Sequence, residues 1–282
     1  MEHKFINKIE FRNNIKKFII SGIPILTFHA VHDDCENYSI RKKDFIGFLI
    51  YLKEEGYRTI RVEELLGIRK EGIIGSKLLA LTFDDGLASQ IDIAAEYLYK
   101  YGFTATFFLI SSFIKKERKS SFLGKNKYVF MSFDDIKNLI KGGFDIGSHS
   151  HSHRLLGTLS QNEVIYEITQ SVKDLEDKAG IPIISFAYPY GRWGSYNNFV
   201  KKCLSDNHIK LAFTQMGYRA NVLDDLLLIP RINIDYSDKF IQIKNKINGY
   251  YDILGRARCC FYKIKGIITD KQSITLWKLL GL

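Results

Sequence analysis

Residues Leu78–Ile110 read LLALTFDDGLASQIDIAAEYLYKYGFTATFFLI. An apolar run, Leu78–Phe83, stops at Asp84-Asp85-Gly86; an amphipathic stretch covers Ala88–Tyr101, and a second apolar run covers Thr104–Ile110. Short apolar runs on either side of a 3.6-period stretch read as strand, helix, strand.

The same rhythm continues in both directions. Strands are expected at Ile23–Phe28, Phe144–Gly147, Ile183–Tyr188, Lys210–Thr214 and Leu227–Asn233, and helices at Lys42–Glu55, Val62–Arg69, Phe133–Lys141, Ser160–Ala179 and Tyr196–Asn207. Ser160 with Glu163 three residues on is a capping-box start, and Gly180-Ile181-Pro182 is a stop. The alternation predicts an α/β fold, a mainly parallel sheet or barrel clad in helices. In such folds functional groups sit at the C-terminal ends of strands and in the loops that follow. The lysine- and serine-rich stretch 115–127 reads as a surface loop, and the rhythm fades from Asn248 onward.

The chain has 282 residues, 46% hydrophobic and 26% charged, which excludes a disordered chain, a coiled coil and a collagen-like fibre. The best membrane-spanning candidate, Phe18–Phe28, is too short and contains Ser21, Gly22, Pro24 and Thr27. The first 22 residues show no apolar core with a small-residue cleavage site, so a cytoplasmic location is expected. Cys35, Cys203, Cys259 and Cys260 form no CxxC and read as free thiols. The net charge of +10 suits an acidic partner (anionic lipid, nucleic acid or a phosphorylated substrate) or reflects a general lysine bias. The expected organisation is a basic segment over 1–22, a catalytic domain over 23–248 and a basic amphipathic tail over 249–282. That tail carries Arg256, Arg258, Lys263, Lys265, Lys271 and Lys278 among Leu254, Phe261 and Trp277. It suits either a membrane surface or packing back on the domain as a closing helix.

Chemistry concentrates in two places. Two adjacent carboxylates at a strand end, Asp84 and Asp85, face different neighbours, so one can hold a cation while the other handles a proton. The plain alternative is a polar turn in which Asp85 caps the next helix. The run Ser148-His149-Ser150-His151-Ser152-His153 then places three of the seven histidines within five residues. His149 and His153 stand four apart, one helical turn, a spacing that lets both rings meet one ion. Two imidazoles and a carboxylate leave coordination positions open, the layout of a catalytic metal. A third segment, Phe186-Ala187-Tyr188-Pro189-Tyr190-Gly191, is a strand that stops at a turn able to aim backbone N–H groups into a pocket.

These three motifs, in this order, resemble the polysaccharide deacetylases of carbohydrate esterase family 4, over roughly Ile23–Asn233. The resemblance implies an irregular (β/α) barrel of about seven strands that removes N-acetyl groups from amino sugars with one divalent metal. Asp85, His149 and His153 would hold the metal, zinc first and cobalt, nickel or iron on the same ligands. The metal would activate a water, Asp84 would be the general base, and the backbone N–H of Tyr190 would stabilise the oxyanion. Many members carry the acid histidine in a late motif, but no histidine follows His208 here. The segment Pro24-Ile25-Leu26-Thr27-Phe28-His29-Ala30-Val31 instead resembles the rearranged branch that includes poly-N-acetylglucosamine deacetylases, which makes His29 the acid. His32 is the reserve, and His151 points away from the ion or supports it from behind. The family's arginine that pairs with the base is Ala187 in this chain, and Arg231, after Ile229-Pro230, is the candidate replacement or else a surface arginine. Trp193 reads as a loop anchor rather than a sugar platform.

The substrate implied is an N-acetylated polysaccharide, or a lipid- or nucleotide-linked N-acetylhexosamine, with the tail 249–282 touching an anionic membrane. The rival reading is a non-catalytic carbohydrate-binding protein on the same fold. Nucleic-acid binding is disfavoured, because no basic helix with base-reading spacing accompanies the charge.

Overall fold

The computed structural model describes residues 22–33, 39–71, 77–114, 117–119 and 127–270. Residues 1–21 of the basic segment 1–22, Cys35, residues 115, 116 and 120–126 of the lysine-rich stretch, and the tail beyond 270, with Trp277, lie outside the described residues.

The central sheet runs β1 (Ile25–Phe28), β2 (Arg58–Ile60), β3 (Leu78–Phe83), β4 (Thr106–Leu109), β5 (Asp145–Ser148), β6 (Ser185–Ala187), β7 (Leu211–Thr214), β8 (Ile229–Pro230) and β9 (Ile232–Asn233), all pairings parallel. Around the ring, β1 pairs β3, then β4, β5, β6, β7 and β8 follow. Successive strands β8 and β9 flank Arg231: Phe213 pairs Ile229 on one side of it, and Leu26 pairs Ile232 on the other. The last strand therefore bridges the seam. Ala80 of β3 pairs Ile25 on one edge and Ile60 on the other, and Phe83 pairs Phe28 and Phe107, so β2 and β4 share one edge of β3. With β8 and β9 counted as one crossing strand, the result is a nearly closed parallel barrel of eight strands.

Side-chain parity divides this barrel into two cores, as the period of two along a strand requires. Leu79, Leu81 and Phe83 face the helices, with Leu26, Phe28, Phe107 and Phe186. Ala80 faces the interior, with Ile25, Phe108, Ala187, Leu211 and Phe213. Under the outer layer, Phe28, Phe83 and Phe107 stack in sequence at 5.4 and 4.9 Å. Helix α1 (Lys42–Glu54) covers them with Phe45, Phe48, Leu49 and Leu52, an i, i+3, i+4, i+7 stripe. Inside, Gly147 has no room for a side chain: a Cβ there would come 2.5 Å from both the Phe108 ring and Ser185 Oγ.

The remaining described helices are α2 (Glu64–Glu71), α3 (Glu96–Tyr101), α4 (Phe133–Lys141), α5 (Gln161–Ala179), α6 (Asn198–Asp206), α7 (Phe240–Ile247) and α8 (Asp252–Asp270). The start of α5 is the expected capping box, with the Ser160 N–H and Oγ both donating to Glu163 Oε2 at 2.9 and 2.7 Å. Strand β2 escapes periodicity because it is only three residues long. Part of the expected surface loop is a ladder, Glu117–Lys119 antiparallel to Lys127–Val129. The beginning of α8 packs on the barrel: Asp252 accepts from Arg219 Nε at 2.7 Å, and Arg256 stacks over Tyr218 at 4.7 Å.

At the opposite end of the barrel from the strand-end carboxylates, Asp145 opens β5 with Arg61 Nη1 3.6 Å from Oδ1. Burial, reinforced by Glu63 and opposed by Arg61, pushes its carboxyl up to about 6. A raised folded-state pKa means stability that is present below the unfolded value of about 4 and lost as pH rises through about 6. Asp145→Asn is therefore expected to stabilise the protein at pH 7.5 by about 1–2 kcal/mol, less than the full shift implies because the group is partly solvated. Thermal melts from pH 5 to 8 check this: the gain must grow with pH, and a gain independent of pH would show that charge is not its source.

Candidate active site

Asp84 continues the inward parity of Ala80 and Thr82 and lies at the mouth of the barrel, 1% exposed. There it meets Arg231, whose Nη1 and Nη2 donate to Asp84 Oδ1 and Oδ2 at 2.7 Å each. The guanidinium is itself fully buried, donates to Thr82 Oγ1 at 3.1 Å and lies over the Phe108 ring. Burial alone would raise the Asp84 carboxyl; the Arg231 charge and hydrogen bonds override it and hold the group at about 2. Asp84 is thus an ionised carboxylate with a fixed orientation. Gln90 secures the turn from beneath, its Nε2 donating to the carbonyls of Asp84 at 2.5 Å and His29 at 3.0 Å.

Asp85 sits past the strand end in left-handed backbone (φ 76°), which swings its carboxylate away from Arg231 toward the histidines. It does not cap the next helix: a π-helical segment, Gln90–Ala95, precedes α3, and its N-cap position is Ser89, with no side-chain cap. After β5 the chain forms a loop, not a helix, with Ser150 and His153 left-handed at φ 66° and 62°. The rings of His149 and His153 do converge, 4.9 Å apart, but through this turn rather than through helical spacing. Helix α5 clamps the loop from outside. Glu167, 2% exposed, accepts from the Ser152 N–H at 2.8 Å and from its hydroxyl, and Ser171 Oγ meets Ser148 Oγ at 2.8 Å. Ser150 Oγ accepts from the His153 N–H at 3.0 Å.

The His149 Nδ1–H donates to the Ala187 carbonyl at 2.8 Å, which leaves its Nε2 as the lone-pair nitrogen facing the cavity. Asp85 Oδ1 lies 3.5 Å from that nitrogen and 3.6 Å from His153 Nε2, and one donor atom from each residue falls within 4.8 Å of the others. Asp85 Oδ1 is buried and accepts no hydrogen bond among the described residues. Burial, then the Asp84 charge, pushes the Asp85 carboxyl well up, while burial pushes both imidazoles down. An aspartate oxygen and two imidazole nitrogens brought to one point fit a divalent cation, and an N,N,O set suits a borderline metal such as zinc.

The cavity over this cluster has a volume of about 260 Å³ and is lined by His29, Asp84, Asp85, His149, His153, Tyr188, Tyr190, Arg192, Gln215 and Asn233. His29 follows β1 and opens on the cavity; burial, partly countered by Asp84, lowers its pKa to about 4. Tyr190 has left-handed backbone (φ 62°), lies 4.9 Å from the His153 ring, and its N–H donates to no group among the described residues. The neighbouring Gly191 is required: a Cβ would come 2.7 Å from the Gln215 nitrogen, which donates to the Gly191 carbonyl. His32 is not among the lining residues, its N–H bonding Ile40 in a small outer ladder. His151 faces away, with Nδ1 2.9 Å from Ser111 Oγ and 3.2 Å from Asp174. Trp193 packs on Tyr196 in its loop.

Four residues of this constellation were missed in the sequence: Gln90, Glu167, Gln215 and Asn233. Gln215 and Asn233 had a usable signal, since each lies at the C-terminal end of a parallel strand. Gln90 and Glu167 sit in helical segments and had none.

The profile of the family described as Polysaccharide deacetylase matches residues 72–212, half of the chain, so the protein belongs to the polysaccharide deacetylase family. Among curated proteins it is 26% identical to YxkH of Bacillus subtilis over 172 residues, 61% of this chain and 57% of that one, so little more than half of that relative's length is spanned. It is 23% identical to a poly-beta-1,6-N-acetyl-D-glucosamine N-deacetylase of Staphylococcus aureus, over 88% of this chain and 81% of the other. Among solved structures, the Streptococcus pyogenes deacetylase PplD superposes with a TM-score of 0.70 at 23% identity, covering 80% of this chain and 98% of PplD. The barrel is the deacetylase barrel.

Proposed function

We propose that this protein hydrolyses the acetamide of an N-acetylated amino sugar, with Asp84 as general base and His29 as general acid. The observation that carries the proposal is the pairing of Asp84 with Arg231 directly beside the Asp85, His149 and His153 cluster, on one cavity. A carboxylate fixed in its ionised form by a buried guanidinium, next to a cation site, has the chemistry of a base that deprotonates water.

Asp85, His149 and His153 would hold the divalent cation, zinc in the first instance; when bound there it polarises the amide carbonyl and makes water more acidic. Asp84 takes one proton from the attacking water as its oxygen bonds to the carbonyl carbon. Negative charge develops on the former carbonyl oxygen, and the Tyr190 N–H would donate to it. As the C–N bond breaks, the proton taken up by Asp84 passes by way of His29, the more basic of the two, to the sugar nitrogen, and acetic acid and the free amine leave. Arg231 keeps Asp84 in place throughout.

The likeness to a poly-N-acetylglucosamine deacetylase supports a β-linked N-acetylglucosamine polymer as substrate, with lipid- or nucleotide-linked N-acetylhexosamine as the alternative acceptors. The net charge of +10 and the exposed Ile253, Leu254, Arg258 and Phe261 on α8 support peripheral contact with an anionic membrane. No helix of the described residues is long and apolar enough to cross a membrane.

Acetate release from chitin oligomers, poly-N-acetylglucosamine and the linked hexosamines, with and without chelator and added zinc, tests the reading. Release that stops on chelation and returns with metal is expected. Tight sugar binding with no acetate from any acceptor, in metal-loaded protein, would instead establish the non-catalytic carbohydrate-binding alternative.

A further inference from the structure

The strands that lead to His29 and Asp84 lie side by side. β1 and β3 pair in register as far as Phe28 and Phe83, and the Asp84 N–H donates to the Phe28 carbonyl at 2.9 Å, just past that pair. One residue further the two chains part. Ala30 and Val31 enter an outer ladder with Ser39 and Ile40, while the left-handed backbone of Asp85 turns the other chain away. His29 and Asp84 therefore stand at a fork, past the strand pairing that fixes their neighbours, and both line the same cavity. One side chain crosses the fork. Gln90 Nε2 donates one proton to the His29 carbonyl at 3.0 Å and the other to the Asp84 carbonyl at 2.5 Å. Turning this amide over would set its oxygen against both carbonyls, so its orientation is committed.

Gln90 is fully buried, and its own oxygen accepts no hydrogen bond among the described residues. A buried amide used on one side only costs stability that an apolar side chain of the same size would not, so packing does not account for a glutamine here. The backbone that carries it is anchored. Gln90 N–H donates to the Leu87 carbonyl at 3.0 Å, and Leu87 bridges Phe130. On either side of that bridge, Ala88 N–H donates to Val129 and Met131 N–H to Gly86, each at 2.9 Å. Resting on the deacetylase reading, we infer that Gln90 is a positioning residue whose single NH2 group sets the separation between the general base and the general acid. The proton that Asp84 takes from water must pass to His29, and such a transfer needs hydrogen-bond reach, direct or through one water. Arg231 fixes where the Asp84 carboxylate points; Gln90 fixes how far the His29 backbone stands from it. Gln90 does not line the cavity, so its loss acts on proton transfer and not on sugar binding.

The test uses zinc-loaded protein and a β-linked N-acetylglucosamine oligomer. Gln90→Met keeps the length of the side chain and loses both donors. Gln90→Asn keeps an NH2 on an arm one methylene too short to bridge both carbonyls, and it carries the test if Gln90→Met does not fold. Each variant should lose kcat on the order of 10²-fold, the cost of a misplacement of about 1 Å. KM should stay within about twofold of wild type and the bound zinc should be retained, since neither depends on the relay. A double-mutant cycle isolates the route. In His29→Gln the relay is already gone, so adding a Gln90 substitution should cost its residual kcat little more. A merely structural role would lower kcat by the same factor in both backgrounds, or would raise KM and release zinc together with the loss of kcat. Either of those results, or an unchanged kcat in both single variants, overturns the inference and leaves the deacetylase reading standing. If no N-acetylated sugar yields acetate with wild-type protein, the reading itself falls and this inference falls with it.

Discussion

Arg231→Met is expected to cost about 3–5 kcal/mol of stability, since it leaves the Asp84 carboxylate buried without its partner. For a chain of this size that corresponds to a fall in Tm on the order of 10 °C. The magnitude follows from geometry: both carboxylate oxygens are held at 2.7 Å, in a place where neither residue is more than 1% exposed. Removing the carboxylate's charge as well should return much of the loss, because the cost lies in the stranded charge and not in the missing contact. The double variant Asp84→Asn/Arg231→Met is therefore expected to melt well above the single Arg231→Met protein. Strictly additive losses in that cycle would show that the two groups are not one unit. Activity in Arg231→Met should also fall by about 10²-fold or more, the usual worth of a positioned general base.

The second large effect separates two neighbouring carboxylates. Asp85→Asn should lose metal affinity by more than the roughly 10–100-fold that removal of a supporting outer partner costs. Asp84→Asn should retain one metal per chain and still lose turnover by about 10²–10⁴-fold. Metal content after dialysis against a weak chelator, read beside acetate release, distinguishes them. If both variants lose metal equally, Asp84 is a ligand and the division of labour proposed between the two is wrong. The same pair of measurements applies to His149→Ala, which should behave like Asp85→Asn. Its Nδ1 is already committed to the Ala187 carbonyl, so only Nε2 is available to a metal.

The division between Asp84 and Asp85 was legible as a pattern, because two adjacent residues at a strand end cannot face the same way. Its physical form was not legible. The separation comes from the left-handed backbone at Asp85, which a motif does not reveal. The histidine pair shows the same limit. The spacing of His149 and His153 pointed to a shared ion, but the reason, helical periodicity, was wrong; a left-handed turn clamped by Glu167 and Ser171 of α5 does the work.

Arg231 shows the limit most sharply. It is 147 residues from Asp84 in the chain, and only closure of the barrel brings them together. The strand-end rule covered Gln215 and Asn233, yet nothing in their neighbours distinguished them from any other amide.

By itself, then, the sequence determined what local order can encode: the strand–helix rhythm, the side-chain parity of each strand, and the adjacency of chemical groups within single loops. Those features depend on residues a few positions apart, and patterns of that range survive without knowledge of the rest of the chain. Tertiary structure decided which strand closes the ring, which charge holds Asp84, and which loop brings Asp85, His149 and His153 together. Each of these rests on parallel strands meeting across the barrel, and on the burial that makes an unpaired charge or acceptor costly.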